Sequence, residues 1–298
     1  VGAVTEVLRV STGRVDLGFL PSLGGRLWTI RVDGTELLWR DEDAWRRPEG
    51  AWINAGGTKA WPAPQSRWGG PPGPIDGAPF AVELTRHGGA QHLTLTSDPD
   101  PATGLEVERR FVLPPGDGTR FRQRTVFRNR TDHAIEWSIW EVCQVPAGPG
   151  DTVYAATSGG APVDLGGGLP VTANGPLRHV PLHKRTGKVG FPDATGLAGF
   201  RRADGSGFDW RFDPQPGSPH PDSDSRVAVY TRAATDDDAA AYAELEAMTA
   251  ITVIPPGGRI VQRLDWSIVP RPREPGSTSA SRSPRRRSRS ATGSSRTA

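Results

Sequence analysis

Gly24–Trp39 reads GGRLWTIRVDGTELLW, and its pattern decides the fold class. Leu27, Thr29 and Arg31 alternate with Trp28, Ile30 and Val32, so one face is apolar and is expected to pack inward, which is the period of a β-strand. Asp33-Gly34 follows directly and is a strong hairpin signal, with Thr35–Trp39 as the returning run. Upstream, Thr5–Ser11 and Arg14–Leu20 are two more short runs divided at Gly13. The opening therefore reads as a β-meander.

The same grammar continues downstream. Runs at Phe80–His87, Gln91–Ser97, Leu105–Leu113, Arg120–Asn129 and His133–Val145 are separated by turn residues, a spacing that predicts a large antiparallel sheet. In the last of them, HAIEWSIWEVCQV, one face carries Trp137, Glu141 and Cys143 and the other Ser138, Trp140 and Gln144, which suits a central strand under a site. Residues 146–220 are rich in Gly and Pro, with shorter candidate strands at Thr152–Thr157, Leu197–Arg201 and Phe208–Phe212. Arg226–Thr231, Ala240–Ala247, Ala250–Ile254 and Arg259–Val269 then close the pattern. The 37 Gly and 29 Pro fall between such runs, so the class is all-β, with antiparallel sheets closing a sandwich over residues 1–270.

Between the meander and the later strands, Arg40–Pro79 breaks the pattern and holds Trp45, Trp52, Trp61 and Trp68. Disordered segments are poor in aromatics, so a long Trp-rich loop, ordered over one end of the sheet, is expected here. Its centre, Trp52–Gln65, reads WINAGGTKAWPAPQ and has neither a strand nor a helix period. Indole faces beside Asn54, Lys59 and Gln65 suit a polyhydroxylated ring: the rings cover its C–H surface while amide and ammonium groups reach the hydroxyls.

Charge and cysteine content narrow the function classes. The 298 residues hold 36 basic and 33 acidic side chains, but eight arginines and one glutamate from Arg271 onward leave 28 and 32 in the body, a balance of −4. A mildly acidic body argues against nucleic acid as its main ligand. Residues 271–298 contain nothing apolar larger than Ala or Pro and are expected to be a disordered tail, whose RSPRRRSRS run is the one place suited to phosphates. Cys143 forms no intrachain bridge and is expected to be an inert core thiol. The cytoplasm is therefore the first expectation, with disulfide-free export still compatible because the chain starts at Val1, as after processing or truncation. No apolar stretch approaches a membrane span. Asp222, Asp224 and Asp236–Asp238 lack a calcium-loop pattern, and Gly166–Gly168 has no Lys-Ser/Thr successor, so no metal, phosphate loop or cofactor is expected.

Several segments, taken in order, resemble the galactose mutarotase-like superfamily, which includes the aldose 1-epimerases. GGRLWTIRVDGTELLW is similar to its opening strands. WINAGGTKAWPAPQ, LTLTSDPDPATGLEVERRFVL (Leu93–Leu113) and TVFRNRTDHAIEWSIWEVCQV (Thr125–Val145) resemble one uncharacterised branch of it. AELEAMTAITVIPPGGRIVQRLDWSI (Ala243–Ile268) is similar to its closing segment. The resemblance covers about residues 9 to 269. It implies a β-supersandwich with a carbohydrate on its concave face, and a glutamate base and histidine acid that exchange sugar anomers. By motif position Glu244 resembles the base, with Glu246 on the same face of its strand. Arg26, Trp52, Asn54, Lys59, Trp61, Gln65, Trp140 and Glu246 are the expected substrate contacts. The histidine has no counterpart in Ser138–Gln144 or in residues 40–79, leaving Lys59, His179 or His183 as substitutes. A small-molecule carbohydrate is thus the expected partner. A sugar-binding module without catalysis, a protein-interaction domain using the Trp-rich loop, and a lyase are the alternatives, the last without a Tyr-His-Arg set. Oligomeric state is not legible.

Overall fold

Asp33 and Gly34 both take positive φ, 49° and 85°, in the computed structural model of the protein, which describes residues 6–44, 54–69, 73–182, 185–234 and 241–272. That is the mirror-image turn that matches strand twist. It joins β3 (Arg26–Val32) to β4 (Thr35–Glu36), after β1 (Leu8–Thr12) and β2 (Val15–Leu20), so the meander forms as the alternation predicts. Trp45, Trp52, His183, Asp236–Asp238 and the tail from residue 273 lie outside the described residues.

Downstream come β5 (Thr58–Ala63), β6 (Ala81–His87), β7 (Ala90–Thr96), β8 (Leu105–Leu113), β9 (Arg120–Asn129) and β10 (Ile135–Pro146). Then follow β11 (Thr152–Thr157), β12 (Val163–Gly166), β13 (Thr172–Asn174), β14 (Leu177–Pro181), β15 (Gly187–Phe191), β16 (Ala194–Arg201) and β17 (Gly207–Arg211). The last four are β18 (Val227–Arg232), β19 (Tyr242–Met248), β20 (Thr252–Ile254) and β21 (Arg259–Val269). Among the described residues they make two antiparallel sheets. The eleven-stranded sheet runs β1-β2-β3-β5-β10-β19-β18-β15-β12, with β4 and β20 at its side, and the ten-stranded sheet runs β13-β14-β11-β16-β17-β21-β9-β8-β7-β6. No described helix is long and apolar enough to cross a membrane.

The inner faces of the sheets meet in one core. Phe19 of β2 touches Phe111 of β8 edge-on at 4.8 Å, and Phe208, Trp210, Trp266 and Phe121 form a continuous aromatic row on the second sheet. One ion pair is buried inside that core. Arg109 of β8 reaches Glu141 of β10 at 3.3 Å and donates to the Gly25 and Thr58 carbonyls, while the Thr125 hydroxyl donates to Glu141. The fork of the guanidinium thus links the two sheets where apolar contact alone would leave them free to slide.

Two expectations need correction. Thr58–Ala63 is a fully buried strand of the first sheet, where part of a long ordered loop was expected. Pro62 is tolerated because β3 pairs with β5 only at Leu27–Thr58, leaving an open edge beyond it, and the Pro62 carbonyl on that edge takes the Trp68 indole N–H at 2.8 Å. Residues 146–220 also hold more strands than the sequence suggests. β12 to β15 are three to five residues long and carry too few alternating positions for a period to emerge.

Candidate functional site

The central strands of the first sheet set three rows of side chains on its outer face, opposite the core. Residues directly opposite in antiparallel strands share a face. One row is Gln144, Glu244, Tyr230 and Lys188, contributed by β10, β19, β18 and β15. The next is Lys59, Val142, Glu246 and Ala228, and the third is Trp61, Trp140 and Met248. A cleft of about 950 Å³ opens above them. Trp61, Trp68 and Trp140 line it beside Gln65; Leu165, Gly166, Gly167, Thr186 and Gly187 line it at the β12–β15 end; and Tyr242 joins the charged rows between.

The indoles brace one another. Trp61 meets Trp68 and Trp140 edge-on, each at 5.4 Å, and Trp68 lies 6.1 Å from Trp140. From behind, Trp61 Nε1 donates to Asp76 Oδ1 at 3.0 Å, and the same oxygen takes Arg26 Nη2 at 2.6 Å. Arg26 also donates to the backbone carbonyls of Leu23, Gly56 and Asp76. The entry to β5 is fixed by Gly56 and Gly57, whose φ values of 83° and 73° and whose contact with the Trp39 and Leu27 carbonyls leave no room for a side chain.

The charged groups form two linked clusters. Glu244, 12 % exposed, takes a hydrogen bond from Gln144 Nε2 at 2.8 Å and lies 3.9 Å from Lys59 Nζ. Lys59 itself is buried with its ammonium 3.8 Å from the centre of the Trp61 ring, and burial pushes it below its ordinary pKa against the pull of Glu244. Glu246 Oε2 accepts from Trp140 Nε1 at 2.9 Å and from Lys188 Nζ at 2.8 Å. Lys188 also contacts Asp222 Oδ2 at 2.6 Å. Asp222, with a φ of 51°, opens a run of left-handed residues through Ser223 and Asp224, a costly conformation that fixes where its carboxylate points. Burial works against the charge on Lys188, but Glu246 and Asp222 more than offset it and hold the ammonium above its ordinary pKa. Burial pushes the Glu246 carboxyl up to about 7, although Lys188 opposes this. The Tyr230 and Tyr242 phenols are raised as well, by burial and then by Glu244.

Of the residues expected at the site, Trp61, Gln65, Trp140, Glu244 and Glu246 line the cleft. Lys59 lies next to Glu244 and the Trp61 ring and does not itself line the cleft. Arg26 is placed elsewhere: wholly buried, it is a support for Trp61 through Asp76. Asn54 is buried outside the cleft lining, and Trp52 lies outside the described residues. Neither His179, on β14 of the second sheet, nor any other histidine among the described residues lines the cleft. Trp68, Lys188, Tyr230, Tyr242 and Asp222 are not among the substrate contacts expected from the sequence, where Asp222 stands only as an acidic position without a calcium-loop pattern. Trp68 alone had a visible signal, as a large aromatic close to Trp61. Lys188 and Tyr230 arrive through strand pairings remote in sequence, Asp222 comes from the turn before β18, and Tyr242 precedes Glu244 by two residues on the same face of β19. No group of His, Cys, Asp or Glu among the described residues is arranged to hold a metal ion.

No family model and no curated protein matches the sequence. Solved structures do share the fold. A TPR-domain containing protein from Parabacteroides distasonis superposes with a TM-score of 0.64 at 16 % identity over 95 % of this chain, which spans 50 % of that protein's length. A galactose mutarotase-like protein from Lactobacillus casei gives 0.61 at 11 % identity, covering 89 % of this chain and 100 % of that one. A galactose mutarotase related enzyme from Lactobacillus acidophilus gives 0.52 at 8 %, covering 89 % and 97 %.

Proposed function

On this galactose mutarotase-like β-sandwich fold, we propose that the chain binds a carbohydrate in the concave cleft and interconverts sugar anomers there, with Glu244 as the base. The observation that carries the reading is a single face on which three mutually braced indoles stand beside a carboxylate open to the cleft. The apolar C–H face of a pyranose lies on Trp61, Trp68 and Trp140, and its hydroxyls reach Gln65, Glu244 and Lys188. Gln144 orients the Glu244 carboxylate by donating to Oε1. From there the carboxylate takes the proton of the C1 hydroxyl, the step that starts ring opening. The fold neighbours named for galactose mutarotase support a sugar as the ligand class.

A sugar-binding module without catalysis is the second reading, favoured by the lack of a histidine lining the cleft among the described residues. Anomer exchange followed by NMR across a panel of aldoses separates the two. Under the first reading the wild type exchanges at least one aldose faster than buffer does, and Glu244→Gln loses about a hundredfold or more of that rate. Binding seen by Trp fluorescence with no exchange at all leaves the module standing. Neither binding nor exchange with any sugar removes both readings.

A further inference from the structure

Ring opening at an acetal carbon needs one proton taken from the C1 hydroxyl and one given to the ring oxygen. Glu244 accounts for the first, and the second has no residue yet. We propose that Tyr230 is the proton donor of the cleft, its phenol bonding to the ring oxygen of the bound sugar and protonating it as the ring opens. Such a role rests on the carbohydrate reading and supplies the group that reading lacks.

Position singles Tyr230 out. It stands on β18 directly across the ladder from Glu244 of β19, and Lys188 of β15 stands opposite it on the other side. Directly opposed residues share a face, with Cβ atoms about 4.5–5.5 Å apart. The C1 hydroxyl and the ring oxygen are bonded to one carbon, so a carboxylate and a phenol side by side can serve both. All three residues line the cleft. The Tyr230 side chain is half-buried, and its hydroxyl is neither sealed from solvent nor bonded to any of the described residues. Its O–H is therefore available to a ligand.

The other protic groups of the cleft are committed elsewhere or too weak as acids. Lys188 Nζ is held by Glu246 and Asp222, at 2.8 and 2.6 Å. Those contacts and the Trp140 indole also close off the Glu246 carboxyl, which is buried. Tyr242 is buried more deeply than Tyr230, with its ring 4.6 Å from Trp39 and a hydrogen bond from Arg232. Gln65 and Thr186 offer only an amide and an aliphatic hydroxyl, far weaker acids than a phenol.

The neighbours of Tyr230 suit it to give a proton and take it back. Burial, and after it the Glu244 carboxylate, raise the phenol above its ordinary pKa, so it carries its proton while Glu244 is charged. Arg232, two residues on along β18, pulls the other way, and with Lys188 it sets positive charge beside the oxygen that becomes phenolate. Glu244 and Tyr242 are the groups that face it from β19. When Glu244 accepts a proton it loses the charge that opposed the phenolate, so each transfer favours the other. The step balances within the protein. Glu244 takes the C1 hydroxyl proton, the C1 carbonyl forms as the bond from C1 to the ring oxygen breaks, and that oxygen takes the Tyr230 proton. After rotation about C1–C2 the hydroxyl closes on the other carbonyl face. Its proton returns to the Tyr230 phenolate, and Glu244 gives its own to the new C1 oxygen. Nothing is consumed.

One arm of the test is independent of turnover. The chain has three tyrosines, so fluorotyrosine labelling of the full chain gives three resonances in fluorine NMR, that of Tyr230 being the one lost in Tyr230→Phe. It is expected to shift on titration with the aldose that the wild type exchanges fastest. Tyr230→Phe keeps the ring and its packing, and is expected to lose about a hundredfold in kcat with KM within about threefold of wild type. A less basic leaving oxygen needs less help from an acid, so that loss should shrink about tenfold on an analogue fluorinated beside the ring-oxygen carbon, while the Glu244→Gln loss does not shrink. A hydroxyl that only binds the sugar would raise KM and give the same loss on both substrates. That result overturns the donor, as does undiminished exchange in Tyr230→Phe or a Tyr230 resonance unmoved at saturating sugar, each leaving Glu244 and the sugar cleft intact. A wild type that exchanges no aldose overturns the donor together with the epimerase reading.

Discussion

Arg26 illustrates how a residue type misleads when its surroundings are unknown. An arginine at the start of a strand, after two glycines, is plausible as a sugar contact, yet its guanidinium is wholly buried and serves the Asp76 carboxylate and three backbone carbonyls. Removing one partner from a buried pair leaves the other charge uncompensated, a loss of about 3–5 kcal/mol. Arg26→Met should therefore lower the unfolding free energy, measured by urea denaturation, by an amount of that size and move the midpoint to lower urea. It should also loosen Trp61, whose indole N–H shares Asp76 Oδ1. If Arg26 instead served only the ligand, the variant would unfold at the wild-type midpoint and lose affinity alone. Arg26→Lys keeps the charge without the planar fork, and falls between the two.

Elements with one wet face and one dry face were readable from the chain. β8 alternates throughout, β9 and β21 over most of their length, and the ends of all three match the sequence limits. β5 was not readable, because both of its faces are buried: Thr58 and Ala60 meet the core, while Lys59 and Trp61 lie under and along the cleft. A lysine and a tryptophan on a buried face erase the period-2 signal. Likewise Tyr230 and Lys188 could not be found, since their meeting depends on which strand pairs with which, and the contact of Asp222 with Lys188 depends on how the turn before β18 lies against β15. What positions β5 is testable through its glycines. Gly57→Ala meets both a positive φ and the Leu27 carbonyl at 2.7 Å, whereas Gly34→Ala meets a positive φ in open space. The Gly34 change should cost about 1–2 kcal/mol. The Gly57 change should cost more in the same denaturation series and weaken sugar binding besides, because it displaces the strand that carries Trp61. Equal costs at the two positions would mean that the close approach to β3 is unimportant.

At the scale of the whole molecule, the sandwich and cleft formed by the described residues precede the basic end of the chain. Among the described residues those that line the cleft run from Trp61 to Glu246, and the last strand, β21, ends at Val269. The body is acidic by four charges, with eight arginines and one glutamate from Arg271 onward accounting for the overall +3. Charges separated by more than about 8–10 Å are largely screened at physiological salt, so a terminal arginine would act on the cleft only by approaching it more closely than that. Deleting residues 273–298 should accordingly leave the melting temperature, the sugar affinity and the anomer-exchange rate unchanged. Any affinity for single-stranded RNA should vanish with the same deletion, and in the full chain it should fall steeply as salt rises, because it rests on phosphate neutralisation. A drop in sugar affinity on deletion, reversed by adding no salt and insensitive to ionic strength, would place part of the ligand's contacts beyond residue 272 and extend the site past the sandwich.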